Sequence, residues 1–165
     1  MAGAAQIRSD AKTLFLLFQL GKDRYALEVG QVAEVLPLVS LKLIPQAPLA
    51  VAGIFDFRGD PVPVIDLSQM ALGRPAQQRL STRIILVHYP DSYGEKHLLG
   101  LIAERVTETM RREPSDFVAS GVDNDAAPYL GPVATDVRGL IQWVQVEQLL
   151  TPAVRDLLFS QTEPR

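Results

Sequence analysis

The sequence has no cysteine among its 165 residues. Disulfide bonds and thiolate chemistry are therefore excluded, which suits a reducing compartment. An excess of basic charge is also missing, because 16 lysines and arginines face 19 acidic residues and the net charge is −3. With neither a basic excess nor a basic block, nucleic acid is not an expected partner.

Long hydrophobic runs are absent as well. The most apolar stretches, residues 14–18 and 49–55, are far shorter than the roughly 20 residues that span a bilayer, so no direct membrane insertion is expected. Residues 1–12 are rich in alanine and polar side chains, which predicts a flexible leader without the apolar centre of a signal peptide. The expected location is the cytoplasm.

The composition is that of a globular protein, with 47% hydrophobic and 21% charged residues. The length suits one domain with a sizeable core. Short β-branched and aromatic stretches recur between turn residues, which predicts a mainly β fold. Hairpins are expected to pair residues 13–20 with 24–29, 83–89 with 97–103, and 129–137 with 139–146. Alternation over residues 24–29 predicts a strand that is buried on one face only.

Two short helices are predicted from their ends. Asp66 can cap a helix that runs to about Leu72 and is stopped by Gly73. Thr151 followed by Pro152 is a typical helix start, and the apolar residues beyond it follow one helical stripe. We expect this last helix to pack on the body of the protein rather than bind a partner.

The chain is organised around residues 53–67, with the sequence GIFDFRGDPVPVIDL. Apolar, β-favouring residues flank Arg58-Gly59-Asp60-Pro61, and Gly59 tolerates the positive φ that a tight reversal needs. The stretch therefore predicts a hairpin that lifts Arg58 to its rim. From the pattern alone, Arg58 can equally be an ordinary solvated turn residue.

Motifs for chemistry are scarce. His88 and His97 lie in or beside predicted strands without a third ligand at useful spacing, so no metal site is predicted. The sequence contains no nucleophile elbow, phosphate loop or dinucleotide-binding motif, and no cofactor is expected. Two classes of function remain: a small β module that works through protein contacts, or a β-barrel enzyme or small-ligand binder with an unfamiliar site.

The placement of charge discriminates between these classes. A catalytic cleft needs titratable groups that converge. Here the charges fall in predicted turns and loops, and the few inside strands, such as Glu34 and Glu104, are isolated. This placement of charge favours an interaction module.

The same two glutamates mark a weak internal repeat. Each follows an alanine and precedes a valine within two positions, which indicates two similar β units.

Several stretches form a recognisable pattern when taken together: FQLGKDRYALEV at 18–29, VAEV at 32–35, IP at 44–45, the hairpin at 53–67 above all, RIILV at 83–87, LLGLI at 98–102 and VEQLL at 146–150. Through these stretches the chain resembles the CheW-like chemotaxis coupling proteins, from about Thr13 to Leu150.

The resemblance implies a single domain over residues 1–165 built from two SH3-like, five-stranded β-barrels with a shared apolar core. The first subdomain is expected over about residues 13–69 together with the C-terminal segment, and the second over about 82–146. The resemblance also implies a non-enzymatic adaptor, which couples the cytoplasmic tip of a methyl-accepting chemoreceptor to the regulatory domain of a CheA-like histidine kinase in a membrane-associated array.

Five residues match functional positions of the family. Arg58 and Gly59 match its N-[LF]-R-G motif, and Glu34 matches the acidic position after the second strand. Val32 and Gly53 match positions that line the groove used for the receptor. The resemblance implies that Glu34 and Arg58 are neighbours, either paired with each other or presented to the partner.

The chain also departs from the family pattern. Asp56 stands where asparagine is usual, and Ala103-Glu104-Arg105-Val106 replaces V-D-x-V. Residues 142–145, QWVQ, replace an apolar strand that ends in aspartate, and residues 131–133, GPV, replace a G-L-G-like segment. These departures indicate an adaptor for a dedicated chemosensory array rather than for general swimming control.

Overall fold

The strands and helices are those of a computed structural model that describes residues 12–91, 93–122 and 124–159. The strands are β1 Thr13–Leu20, β2 Asp23–Glu28, β3 Val32–Pro37, β4 Val51–Phe57, β5 Asp60–Asp66, β6 Arg83–Pro90, β7 Lys96–Arg112, β8 Leu130–Asp136 and β9 Gly139–Val144. The helices are α1 Leu67–Leu72 and α2 Pro152–Leu158, with short 3-10 turns at Val29–Gln31, Pro114–Asp116 and Val146–Gln148. The mainly β prediction is confirmed, and the predicted flexible leader lies outside the described residues.

Strand pairing divides the sheet into two groups that share β7. The first group has the order β3-β6-β7-β5-β4, and the second has the order β7-β1-β2-β9-β8. The predicted hairpins β1–β2, β4–β5, β6–β7 and β8–β9 are all confirmed. That each group closes into an SH3-like barrel stays a prediction.

The pairing corrects the expected limits of the two subdomains. Residues 13–28 were expected with the first unit, but β1 pairs with the C-terminal half of β7, and β2 pairs in parallel with β9. The first group instead combines β3, β4 and β5 with β6 and the N-terminal half of β7. Hairpins are local and leave a sequence pattern, whereas pairing between distant strands leaves none.

The long strand β7 changes partners between Ala103 and Glu104, next to Arg105. Up to Ala103 it pairs with β6, and from Glu104 onward it pairs with β1. Arg105 has a φ of 49°, and the register against β1 shifts between Leu17 and Gln19. Such a bulge bends a strand and increases its local twist. One continuous strand can therefore serve both groups.

Side-chain alternation places three apolar clusters around the shared strands. Successive side chains of a strand point to opposite faces. On β1, Leu16, Phe18 and Leu20 enter a central cluster between the groups, whereas Phe15 and Leu17 enter the core of the second group. Strands β5 and β6 alternate in the same way between the central cluster and the core of the first group. The groups are thus joined by a shared apolar core.

Strand β2 is buried on both faces, so the prediction of a half-buried strand is wrong. Tyr25 and Leu27 face the central cluster, and Ala26 faces the core of the second group. Arg24 is buried as well, and its guanidinium donates to both carboxylate oxygens of Asp136. The alternating pattern failed because the polar position is satisfied by an ion pair instead of water.

Both helices begin as predicted. The Asp66 carboxylate accepts hydrogen bonds from the first turn of α1, and Gly73 ends that helix in a left-handed conformation. The Thr151 hydroxyl accepts from the backbone of α2, whose Val154 and Leu158 pack against the central cluster. Within the described ranges, neither helix has the length and apolar character needed to cross a bilayer.

Candidate functional site

The β4–β5 hairpin reverses through a tight turn at Arg58 and Gly59. Phe57 pairs with Asp60, and the two residues between them have φ values of 53° and 93°. Positive φ at both central positions is what a type I′ turn requires, and this turn matches the twist of the flanking strands. Gly59 adopts it freely, whereas Arg58 gives up roughly 1 kcal/mol in the left-handed region.

Asp56 stabilises this turn. Its Oδ1 accepts a hydrogen bond of 2.7 Å from the Gly59 backbone N–H. The amide oxygen of an asparagine can accept the same bond, so the turn tolerates either residue at this position.

The Arg58 guanidinium is held from two sides. Its Nη2 lies 3.3 Å and 3.4 Å from the two carboxylate oxygens of Glu34. Its Cζ lies 4.7 Å from the centre of the Phe57 ring, within the range of a cation–π contact. The Arg58 and Glu34 side chains are 74% and 37% exposed. The contacts therefore orient the guanidinium and leave it open to a partner.

Glu34 reaches the turn from β3, at the opposite end of the first group's strand order from β4. Val32 precedes it on the same strand, and the pairing with β6 shifts register between the two residues. Val32 is partly buried against the central cluster. The two predicted site residues of β3 thus differ, since one packs inward and the other meets Arg58.

Gly53 is buried in β4, and the backbone explains why it is glycine. It has a φ of 150°, and an added Cβ would lie 2.6 Å from the Lys42 carbonyl oxygen. Lys42 is held there by two backbone hydrogen bonds with Ile54, of 2.8 Å and 2.9 Å. Close approach of residues 41–42 therefore accounts for Gly53, and its direct contact with a partner stays a prediction.

The structure thus brings together Glu34, Arg58 and Gly59, which we call the arginine turn. Sequence reasoning missed two apolar residues that the structure leaves exposed. Leu43 and Leu49, in the segment that leads into β4, are 75% and 84% exposed. Their proline-rich surroundings were a weak sign of this exposure. A segment interrupted by prolines cannot become a central strand that buries its leucines.

The comparison with protein families matches this geometry to a known domain. A model of the CheW-like domain matches residues 14–153, which covers every strand except the first residue of β1. The chain belongs to the CheW-like family.

Individual CheW relatives agree. The chain is 28% identical over 117 residues to the chemotaxis protein CheW of Helicobacter pylori, covering 70% of this chain and 67% of the relative. It is 26% identical over 112 residues to CheW of Treponema pallidum, covering 66% and 63%. The crystal structure of the scaffolding protein TtCheW from Thermoanaerobacter tengcongensis superposes with a TM-score of 0.72 at 26% identity, covering 82% of this chain and 86% of that one.

Several departures from the CheW-like pattern make contacts inside the chain. The buried Glu104 accepts hydrogen bonds from the backbone of Gly21 at 3.3 Å and of Gln77 at 2.8 Å. The Gln142 amide donates to the Gly131 carbonyl at 2.9 Å. These side chains therefore form hydrogen bonds with the backbone of this chain.

Trp143 belongs to the same set. Its ring meets Phe15 edge-on at 4.9 Å and Phe117 at 5.2 Å, in the core of the second group. The altered last strand is thus anchored by an aromatic cluster, a geometry that aromatic rings favour.

One cluster of potential metal ligands was not evident from the sequence. Asp91, Glu95 and His97 place ligand atoms within 4.8 Å of one another, so His97 does have further ligand types nearby. Asp91 Oδ1 accepts from two backbone N–H groups of its turn, and Oδ2 lies 2.6 Å from His97 Nε2. The His97 hydrogen bond lowers the pKa of the Asp91 carboxyl. These bonds satisfy Asp91 as the cap of a turn.

Proposed function

We propose that this chain is an adaptor that couples the cytoplasmic tip of a methyl-accepting chemoreceptor to the regulatory domain of a CheA-like histidine kinase. Membership of the CheW-like family carries the proposal. The named relatives support it, since two are chemotaxis proteins and one is a scaffolding protein. The proposal includes that the chain catalyses no reaction and acts in the cytoplasm, recruited to membrane-associated arrays.

The arginine turn suits recognition of a protein partner. A planar guanidinium offers several donors in a fixed fork, and orienting it beforehand reduces the entropy lost on binding. Here the turn, the Phe57 ring and Glu34 orient Arg58 while most of its surface stays exposed. Charged groups of this kind set partner choice and orientation more than raw affinity.

The exposed leucines supply the apolar part of such an interface. Leu43 and Leu49 lie on the segment that bonds to β4, the strand that leads into the arginine turn. Apolar contacts surrounded by polar groups are the usual anatomy of a protein interface. A coupler needs only moderate contacts of about 1,200 Å², because repetition in an array adds avidity.

We further propose that the chain serves a dedicated array. Asp56 supports this, because it is exposed beside Arg58 and adds a negative charge where the family usually has a neutral asparagine. A partner that fits this turn must accommodate an acid and a base side by side. Such a changed charge pattern discriminates between partners.

Substitution of Arg58 tests the adaptor function. Arg58→Ala should weaken binding of a chemoreceptor cytoplasmic fragment or of a kinase regulatory domain from the same organism about tenfold, or about 1.4 kcal/mol. Because the side chain is exposed, the midpoint of thermal unfolding should change little. Isothermal titration with each partner, beside a melting curve, measures both effects.

Arg111→Ala is the matched control. It removes the same charge from an exposed position of the second group, and its affinity should equal that of the unaltered protein. Unchanged affinity of Arg58→Ala for both partners would remove the arginine turn from the interface. Failure of the unaltered chain to bind either partner would refute the adaptor itself.

A further inference from the structure

A cationic cavity of about 220 Å³ lies where the two strand groups meet. Its walls are the β1–β2 turn, the loop that follows α1, and β7 at its change of partners. Lys22, Arg74, Arg79 and Arg105 line it together with Glu104. Four cationic side chains and one carboxylate give it a formal charge of +3, whereas the whole chain has −3. We call it the basic cavity.

The arginines of this cavity differ from most others in their partners. Elsewhere in the described residues, ion pairs join Arg24 to Asp136, Arg58 to Glu34, Arg112 to Asp116, Arg138 to Glu108 and Arg155 to Asp156. Across the same described ranges, no carboxylate oxygen lies within 4.0 Å of the side-chain nitrogens of Arg74, Arg79 or Arg105. Three guanidinium groups thus share one cavity without an acidic partner of their own.

The one carboxylate that lines the cavity, Glu104, already accepts two backbone hydrogen bonds. Glu104 accepts from the Gly21 backbone through Oε1 and from the Gln77 backbone through Oε2. These bonds tie the β1–β2 turn and the loop after α1 to β7. Glu104 is therefore a positioning residue that fixes the walls, and it leaves the surrounding cations available.

Further bonds hold the same walls. The Val106 N–H donates to the Ser81 carbonyl at 2.9 Å, and the buried Thr82 hydroxyl donates to the Gln77 carbonyl. Arg79 donates at 2.6 Å to the Gln77 side chain, which orients its guanidinium. The loop that carries Arg74 and Arg79 is thus bonded to β7 at Gln77 and at Ser81, on either side of Arg79.

The backbone of Arg105 also favours a binding role. It is a non-glycine residue with positive φ, at a bulge. Bulges commonly occur beside functional sites, where they redirect a side chain. Here the bulge directs an exposed cation into a cavity that already contains three.

We propose that the basic cavity binds a phosphate group, either as a free anion or as a monoester on a side chain or small molecule. Arginine matches the oxygens of phosphate with paired hydrogen bonds, and lysine adds a point charge. The volume is smaller than the roughly 300 Å³ at which cavities for drug-sized ligands begin, so it suits a small anion. Binding to this cavity requires neither receptor nor kinase, so its test is independent of the adaptor function.

Titration of the full chain tests this proposal. Inorganic phosphate, O-phosphoserine and glutamate are added at constant ionic strength, and binding is followed by calorimetry and backbone amide NMR shifts. We expect saturable phosphate binding, with the largest shifts at Gly21, Gln77 and Arg105. Arg74→Gln and Arg105→Gln should each weaken it tenfold or more, and a stronger response to O-phosphoserine than to phosphate would indicate an esterified ligand.

Arg83→Gln is the control, because it removes an exposed arginine that lies outside the basic cavity. It should bind phosphate within twofold of the unaltered protein, and all three variants should melt at the same temperature. General stabilisation by phosphate as a salt would affect every variant alike, and that result would overturn the proposal. Equal binding of glutamate would also overturn it, in favour of a carboxylate ligand.

Discussion

At the scale of single residues, the arginine turn is held by contacts at the protein surface. The Glu34–Arg58 pair lies at the surface, where water and salt screen an ion pair and the ordering of two long side chains opposes it. The pair therefore orients a guanidinium and adds little to stability. A substitution there can change an interface while leaving the fold intact.

A double-mutant cycle measures that contribution. Glu34→Ala, Arg58→Ala and the double variant should give a coupling energy below about 0.5 kcal/mol in urea unfolding, as for other exposed pairs. A coupling above about 1 kcal/mol would mean that the pair is a structural clamp. The effect on partner binding could then not be separated from the effect on the fold.

Asp56 gives a second prediction at this scale. Asp56→Asn retains an oxygen that can accept from the Gly59 N–H, so its free energy of unfolding should stay within about 0.5 kcal/mol of the original. Asp56→Ala loses the bond and should be less stable by about 1 kcal/mol. Chemical denaturation distinguishes these outcomes. Equal destabilisation by both substitutions would show that the carboxylate charge, rather than the hydrogen bond, stabilises the turn.

Local chemistry made these residues predictable. The reversal at Gly59, the cap at Asp66 and the helix start at Thr151 each depend on neighbours within a few positions, and each is confirmed. The reason for Gly53 was not accessible in the same way. It depends on the approach of Lys42, which is set by tertiary packing.

At the scale of elements, β4 shows how a backbone contact constrains a strand. An added methyl group at Gly53 would meet a carbonyl oxygen and the Leu41 side chain, at 2.6 Å and 2.9 Å. The carbonyl belongs to a hydrogen-bonded bridge and cannot rotate away as a flexible side chain could. The hairpin that presents Arg58 therefore depends on a glycine that is remote from the turn itself.

Gly53→Ala should accordingly destabilise the protein by about 2 kcal/mol or more, in the range of overpacked sites. The control is Gly30→Ala, because an added Cβ at Gly30 has no neighbour within 4 Å. It should change stability by less than about 1 kcal/mol. Urea midpoints compare the two variants, and similar values for both would show that β4 accommodates an added Cβ at Gly53, with its φ of 150° and its close carbonyl, at little cost.

The elements themselves were predictable, and their partners only in part. Period-two patterns and turn residues identified the hairpins, because both strands of a hairpin are neighbours in sequence. Pairing of β1 with the end of β7 joins residues that lie far apart along the chain. No local pattern encodes such a pair, so the expected subdomain limits followed sequence order and had to be corrected.

At the scale of the whole molecule, buried charge helps to join distant strands. Arg24 on β2 donates to Asp136 at the end of β8 and, at 3.1 Å, to the Gly139 carbonyl. This arrangement lowers the pKa of Asp136 to about 2, chiefly through the hydrogen bonds from Arg24. The second group thus gains stability that depends on an ionised carboxylate.

Stability should therefore depend on pH in a defined window. The unfolded chain, whose aspartate has a pKa near 3.8, binds a proton more readily than the folded chain does. The free energy of unfolding should fall as the pH is lowered from about 4 to about 2, and this carboxyl should contribute roughly 1–2 kcal/mol of the loss.

The change is measured by denaturant unfolding at pH 2 to 5. Asp136→Asn lacks the titrating group and should show a shallower decrease than the unaltered protein. Its stability at pH 5 should already be lower, because the Arg24 guanidinium loses a charged partner while still buried. Parallel pH curves for the two proteins would contradict this role of Asp136.

The basic cavity illustrates what sequence reasoning could not reach at this scale. Its cations come from a turn, a loop and a strand at positions 22, 74, 79 and 105, and no motif links them. In the sequence each reads as an ordinary solvated charge. They converge only because β7 carries Glu104 and Arg105 to the junction, where the backbone bonds of Glu104 gather the other walls.

The continuity of β7 has a mechanical consequence. Any movement of one strand group against the other would bend β7, which is continuous through both groups, and the bulge at Arg105 is where such bending would be easiest. A pull on the arginine turn would be transmitted through β5 and β7 to β1 in the second group. The shared strand therefore couples the positions of the two groups mechanically, in addition to the packing of their common apolar core.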